Sequence, residues 1–405
     1  MKAVVIVAAR RTPWTRFRGP LANLSPVDFA AAAAAATLAN VDRGRVDQLI
    51  VGNVLAAGHG MNLARQVGVR IGLPIATPAM TINLMCGSGM QAALTAVTAI
   101  RAGEANVVLA GGSESMSQAK LLVSRPGKGQ QPDLADCTDS LQRDGLVDTF
   151  SDRHMGQQAE ELAARFNISR AEQDAFAIRS QRLYANARAA GRFQDEIVPI
   201  GDTDADQHPR PDVTLGDLAG LKPVFLPDGS VTAGNSSGIN DGAAFVLLAE
   251  REFALRQRWP ILARWVDGVV IGCDPARMGL GPVPAIGELL RRSKTDWSQV
   301  DSLEINEAFA AQTLACLKSL GMTLDLSDSA APLRTATGHS IALNACGGAI
   351  ALGHPLAASG ARLLAHLACR IGRGESRTAI GSLCIGGGMG IASLLTADSS
   401  SAAPA

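Results

Sequence analysis

Two cysteines and a histidine carry the chemistry open to this sequence. Cys86 follows an apolar run, Ala79 to Leu84, and precedes an alanine-rich stretch from Gly89 to Ile100. The run reads as a buried strand and the stretch as a helix, which puts Cys86 on the elbow between them. At a helix N-terminus, unpaired N–H groups and the helix dipole favour a thiolate over a thiol of pKa about 8.5. Taken alone, the same stretch also fits an inert buried cysteine.

His354 lies in a turn punctuated by Gly347, Gly348, Gly353 and Pro355, ahead of a helix predicted over 357–371. In isolation it reads more readily as a structural loop histidine. Cys384 enters the glycine run 386–388 at the end of a strand, where a bulge beside a buried thiol is the plainer reading. Asn306 and Glu307 close a strand over 303–305, a common place for an N-cap. The stretch Asn235 to Ala244 reads as turns. Taken together, these groups suit one job. One thiolate takes up an acyl group, a histidine helps deprotonate it, and a second thiol moves a proton at the substrate α-carbon. Glycine N–H groups and Asn306 are placed to stabilise enolate and tetrahedral oxyanions. No phosphate-binding P-loop and no strand-linked Gly-x-Gly-x-x-Gly is present, which argues against nucleotide hydrolysis and a dinucleotide cofactor.

The scaffold that must position these groups is an α/β one. At 405 residues, 47% hydrophobic and with 42 glycines, the chain has the length for two or three domain-sized units and a large core. Lys+Arg and Asp+Glu both number 37, so charge gives no reason to expect nucleic acid or an anionic membrane as a partner. Seven cysteines without a Cys-x-x-Cys pair, and no leader-like start, lead us to expect free thiols in a reducing cytoplasm. The six histidines lie at no ligand spacing from the cysteines, so no metal site is expected. No apolar run is long enough to span a bilayer.

In chain order, a strand at Ala3 to Ala8 leads to a helix announced by Ser25 and Pro26. A strand-like run over 46–55, a short helix over 62–73, the Cys86 elbow and a strand at 107–110 follow. This alternation predicts a parallel sheet covered on both faces. Residues 120–150 are polar and aperiodic, and a capping box at Ser169 and Glu172 opens a helix to about Ala190. The α/β pattern resumes at Phe245, which makes the middle third an excursion laid over the sheet. Ser88–Gly89, Gly103–Glu104 and the strand 107–110 are echoed at constant offset by Ser359–Gly360, Gly374–Glu375 and 378–381. That echo points to a duplicated fold.

In this combination and order the motifs resemble the thiolase family over nearly the whole chain. The matching stretches are 83–89, 110–117, 154–156, 232–244, 278–282, 306–310, 347–355 and 384–390. The resemblance implies the five-layered αβαβα thiolase fold, with two similar halves and an inserted loop domain. The expected division is 1–118 completed by 238–260, a loop domain at 119–237, a second half at 261–396 and a disordered tail at 397–405. It implies Cys86 as the acylated nucleophile, His354 as its activator and Cys384 as acid/base at the α-carbon. Asn306 would hold a water in one oxyanion hole, and the N–H groups of Cys86 and Gly386 would form the other. Coenzyme A would lie along Leu146, His154, Phe225, Ala233, Ser237, Ile239, Ala308 and Phe309, with Met155 and Met278 lining the acyl pocket.

The implied activity is an acetyl-CoA C-acetyltransferase reaction: two acetyl-CoA condense to acetoacetyl-CoA and coenzyme A, or the reverse. No metal or bound redox cofactor is implied, and the implied assembly is a homodimer or homotetramer. A degradative 3-ketoacyl-CoA thiolase of broader specificity is the alternative. A coenzyme A binder that has lost catalysis is a further one, and the decarboxylating ketoacyl synthases rank lower because they lack Cys384 and the 306–310 stretch. Two thiols serving one substrate would also lie within reach of oxidation to a disulfide. The chain departs from the family pattern at Cys346, where an Asn is usual, and at Ala357, where a Gly is common. Residues 322–343 form an unusually long segment that would obstruct the site in the binder reading. No clear basic counterpart for the adenine end of coenzyme A is found between Gly201 and Arg210.

Overall fold

Side chains along a strand alternate between two faces, and here each face has its own helical partner. The computed structural model describes residues 2–129 and 131–398. In strand Val4–Arg11, Val5 and Val7 cluster with Phe29 and Ala30 of helix Pro26–Thr37 and with Val67 of helix Leu63–Arg70. Val4 and Ile6 point the other way, to Met90 and Val97 of helix Ser88–Ala102. Strands Val107–Ser115 and Asn240–Glu250 divide in the same manner: Leu109 and Phe245 face the first pair of helices, Val108 and Val246 the second.

The C-terminal half repeats the arrangement. In strand Thr378–Ile385, Ala379 and Leu383 face helix Leu356–Gly372 through Leu363 and Leu367, while Ile380 faces helices Pro282–Ser293 and Ala310–Ser319. Helices 88–102 and 356–372 therefore form a central layer between two sheet halves, each covered outside by further helices. This is the αβαβα sandwich expected from the sequence.

Strand order exposes the duplication. From the shared seam outwards, the first half runs Val4–Arg11, Asn240–Glu250, Val107–Ser115, Gln48–Gly52, Ala79–Ile82. The second half runs Ala263–Gly272, Met389–Thr396, Thr378–Ile385, Ser302–Ile305, Ser340–Leu343. Numbered within its own half, each follows the order first, fifth, fourth, second, third. At the seam Val4, Val5 and Ile6 pair antiparallel with Trp265, Arg264 and Ala263, so one hydrogen-bonded ladder passes through both halves.

The central helices cross closely because glycines sit at their contact. A Cβ on Gly89 would lie 2.5 Å from the Ala357 carbonyl oxygen, and one on Gly360 would lie 2.7 Å from the Met90 nitrogen. These are the positions that the internal repeat had paired. Their approach brings the N-termini of both helices together, with Cys86 before one and His354 before the other.

Three expectations need correction. The sheet is mixed and not parallel: Asn240–Glu250 runs antiparallel to Val4–Arg11 and Val107–Ser115, and Met389–Thr396 to Thr378–Ile385 and Ala263–Gly272. Residues 322–343 do not form a loop over the site: Ser340–Leu343 adds a parallel edge strand to Ser302–Ile305, and Leu333–Arg334 pairs with it as a further antiparallel edge. None of these residues lines the central cavity. Residue 398 is held in place, against the expectation for 397–405: Asp398 accepts two hydrogen bonds of 2.9 Å from the Arg251 guanidinium. The remaining tail residues, 399–405, lie outside the described residues.

Candidate active site

The elbow at Cys86 is held by local polar contacts. Met85 adopts φ +48°, a left-handed conformation that costs energy for a long side chain. Asn83 Oδ1 accepts the Met85 N–H at 2.9 Å, and Ser88 Oγ accepts from Leu84 N at 2.8 Å while donating to Met85 O at 2.6 Å. Cys86 is only 6% exposed. Burial pushes its thiol up to about 12, with Glu114 adding to the rise, against the backbone N–H groups of Gly386 and Cys86 itself. The expectation of a resting thiolate is thereby corrected: desolvation outweighs the helix N-terminus, and the group rests as a thiol that needs a base.

His354, on the same cavity, is held in a defined tautomer. Ser359 Oγ donates to Pro355 O at 2.8 Å, so at its 2.6 Å contact with His354 Nδ1 it must accept, and Nδ1 carries the proton. Nε2 is left with its lone pair, 3.5 Å from Asn306 Nδ2. Burial lowers this histidine to about 4, so the imidazole is neutral at pH 7.

Cys384 stands in the hairpin between Thr378–Ile385 and Met389–Thr396, paired with Gly390 without a register shift. The glycine run is thus a hairpin turn and not a bulge. Burial first, then the neighbouring Cys86 and Cys316, raise the Cys384 thiol well above its ordinary value. All the cysteines are free thiols.

Asn306 is not an N-cap. Helix Ala310–Ser319 starts further on, and its first N–H is taken by Asn235 O at 2.9 Å. Asn306 is instead pinned by its own N–H to Ser382 O at 3.0 Å. Behind it, buried Glu307 accepts from Ser180 Oγ at 2.6 Å, Asn344 Nδ2 at 2.7 Å and Ile350 N at 3.2 Å, which ties the Asn306 loop to the turn carrying His354.

These groups converge on a cavity of about 420 Å³. Cys86, His354, Cys384 and Gly386 line it, as do Leu146, His154, Met155, Phe225, Ala233, Ser237, Ile239, Met278, Ala308 and Phe309. Asn306 stands behind His354. His154 stacks on Phe225 at 4.7 Å, and Phe225 meets Phe309 edge-on at 6.1 Å, giving one wall an aromatic, apolar surface. Among the described residues, no group of three or more His, Cys, Asp or Glu could hold a metal ion.

Several lining residues lie outside the sequence reading, and two of them are titratable, His208 and Arg210. Arg210 brings a basic side chain to the cavity from the stretch in which the sequence shows no clear basic counterpart for the adenine end of coenzyme A. Its loop has no periodicity, and only the fold carries it to the cavity; the flanking Pro209 and Pro211 were the sole local signal. Burial, then Arg210 and Arg16, lowers His208 to about 4, so the fixed positive charge of this pair is on the arginine.

A duplicated five-layer fold around two thiols and a neutral imidazole defines a thiol-dependent acyltransferase. The family model for the thiolase N-terminal domain matches residues 4–252, and that for the thiolase C-terminal domain matches 259–397. The acetyl-CoA acetyltransferase of Pseudomonas aeruginosa is 44% identical over 98% of this chain and 100% of its own length. The human mitochondrial 3-ketoacyl-CoA thiolase is 42% identical over 98% of both. Among solved structures, that human enzyme in complex with CoA gives a TM-score of 0.89 at 42% identity, covering 98% of each chain. The Bacillus anthracis acetyl-CoA acetyltransferase gives 0.90 at 38%, covering 98% of this chain and 99% of its own. The chain belongs to the thiolase family.

Proposed function

We propose that the chain is an acetyl-CoA acetyltransferase, condensing two acetyl-CoA to acetoacetyl-CoA and coenzyme A and catalysing the reverse thiolysis. The observation that carries this reading is the meeting of Cys86, His354 and Cys384 on one cavity that Met155 and Met278 also line. In the forward direction the Cys86 sulfur attacks the thioester carbonyl and His354 Nε2 takes its proton. The carbon–sulfur bond to coenzyme A breaks, and the departing thiolate takes a proton from the Cys384 thiol. Cys384, now a thiolate, removes a proton from the α-carbon of a second acetyl-CoA. The enolate attacks the acyl group, and Cys86 leaves and regains its proton from His354. The high pKa of Cys384 fits a group that rests as an acid and becomes a strong base only after coenzyme A departs. The N–H groups of Cys86 and Gly386 serve one oxyanion, and His354 with a water held by Asn306 serves the other.

His154, Phe225 and Phe309 give the pantetheine arm an apolar wall, and Arg210 offers a cation to its phosphates. Met155 supports short acyl groups, since its Cε occupies the space 2.4 Å from where a Cβ on Gly386 would stand. The second reading, a 3-ketoacyl-CoA thiolase for longer chains, draws support from the human relative. We further read the chain as two thiolase halves, 1–118 with 238–260 and 261–396, carrying the 119–237 segment as a loop domain. We assign the protein to the cytoplasm as a homo-oligomer without a bound cofactor. The free cysteines accord with that compartment.

Thiolysis of acetoacetyl-CoA beside a longer 3-ketoacyl-CoA tests the reading. The short substrate is cleaved faster, and Cys86→Ala lowers its kcat by more than about a thousandfold. Preference for the long substrate moves the assignment to the second reading, and no cleavage by folded wild type overturns both.

A further inference from the structure

Glu114 is buried at the end of strand Val107–Ser115, and all its hydrogen-bond partners are uncharged N–H groups. Oε1 accepts from Asn53 Nδ2 at 2.9 Å and Leu55 N at 3.0 Å; Oε2 accepts from Val54 N at 3.2 Å and Ala357 N at 3.1 Å. Ala357 lies in the first turn of helix Leu356–Gly372, just past His354. One carboxylate therefore joins the 53–55 loop of the first half to the helix that carries the base.

The titratable groups facing Glu114 are Asp241, from strand Asn240–Glu250, and Cys86; neither is a cation. Cys86 in turn is faced by Glu114 and by Cys384, with His354 on the same cavity. Asp241 Oδ1 accepts the Ser117 N–H at 2.8 Å, while its Oδ2 is buried with no hydrogen-bond partner among the described residues. Burial raises both carboxyls, Glu114 to about 7 and Asp241 to about 6.

We propose that Glu114 is a positioning residue for acyl transfer: it clamps the His354 helix to the loop of the first half, and its negative charge adds to the burial that holds Cys86 as a thiol until His354 takes the proton. The clamp has a plain physical basis, because the first N–H groups of a helix lack partners and a carboxylate there is doubly favoured. The charge has a use as well. A free thiolate is open to alkylation and oxidation between turnovers, whereas a thiol that ionises only during attack is not. The proposal rests on the reading of Cys86 as acyl acceptor.

Alkylation of Cys86 by iodoacetamide across pH, alongside thiolysis kinetics, separates the two parts. Glu114→Gln removes the charge and turns a donor toward the Val54 and Ala357 N–H groups. The alkylation profile then shifts about one pH unit lower, while thiolysis kcat falls about tenfold with KM changed less than about threefold. Glu114→Asp keeps the charge but shortens the reach, so its alkylation profile stays near that of wild type while kcat falls. Wild type carries its own signature. As Glu114 ionises between pH 6 and 8, the alkylation rate rises by less than the roughly tenfold per pH unit of an isolated thiol. An unshifted profile in folded Glu114→Gln, or wild-type kcat in both variants, overturns the proposal. If Glu114→Gln does not fold, an unbroken tenfold slope in wild type overturns the charge role. Wild type that turns over no thioester would refute the proposed function, yet the alkylation profiles would still report the coupling.

Discussion

At the scale of single residues, the site depends on keeping charge out until the reaction needs it. His354 is held neutral by burial and oriented by Ser359, and Cys86 is held as a thiol. This has a consequence for pH. The folded His354 is lowered from 6.5 to about 4, so the unfolded chain binds more protons between these values. Stability contributed by the neutral histidine is therefore present above 6.5, is lost as pH falls through that window and levels off below about 4. In acylation, the base stays unprotonated through the same range. The burst of coenzyme A released on mixing enzyme with acetyl-CoA should persist to near pH 4, provided the sample is still folded. A burst that titrates away near 6.5 in folded protein would mean that His354 is solvated, or that another histidine is the base.

At the scale of elements, the crossing of helices Ser88–Ala102 and Leu356–Gly372 converts sequence into geometry. A methyl group on Gly89 meets the Ala357 carbonyl, the same turn whose N–H is clamped by Glu114. Gly89→Ala should cost about 1–3 kcal/mol of stability through overpacking and also lower kcat, since both catalytic N-termini must shift apart. Chemical denaturation and thiolysis measure the two effects, and a neutral Gly89→Ala would show that the crossing is not tight. Much of this was legible in the chain. The caps at Ser25 and Ser169 follow from local hydrogen bonding, and the paired Ser–Gly dipeptides mark the duplication of the fold. Cys86, His354 and Cys384 were legible only together: each alone reads as readily as a structural residue, and their combination and order carry the resemblance. Glu114 and Arg210 were not, because nothing local distinguishes a buried carboxylate at a strand end or an arginine in an aperiodic loop. Their partners lie at Ala357 and across the cavity, and only the tertiary fold brings them there. The resting state of Cys86 is illegible for the same reason: a helix terminus is visible in sequence, but desolvation is not.

At the scale of the whole molecule, the two halves differ in one telling respect. In the second half the outer strand Ser340–Leu343 is covered by Leu333–Arg334, so the long 322–343 segment serves to close that edge. Its counterpart in the first half, Ala79–Ile82, pairs only with Gln48–Gly52 and leaves its other side without a strand among the described residues. Open strand edges invite pairing with another chain, and proteins usually cover or charge them. This edge is covered only in part: Asn62 Nδ2 donates to Ala79 O at 2.9 Å, and Arg65 holds the carbonyls of Ile75 and Thr77 just before it. Met80 is 44% exposed on it, and Met61 at 91% and Ile75 at 74% stand on the segments leading to it. Four residues beyond Ile82 the same chain reaches Cys86, through the strained Met85. A second copy seated on this edge would fix the elbow from outside, which links the proposed homo-oligomer to catalysis. Light scattering at micromolar concentration should therefore give the mass of two chains or a multiple of two. Replacing Met80 and Ile75 with lysine should shift the protein to monomer and lower kcat about tenfold or more through a loosened Cys86. A monomeric wild type with full activity would leave the open edge without this role. A dimer unaffected by both lysines would place the interface on another face.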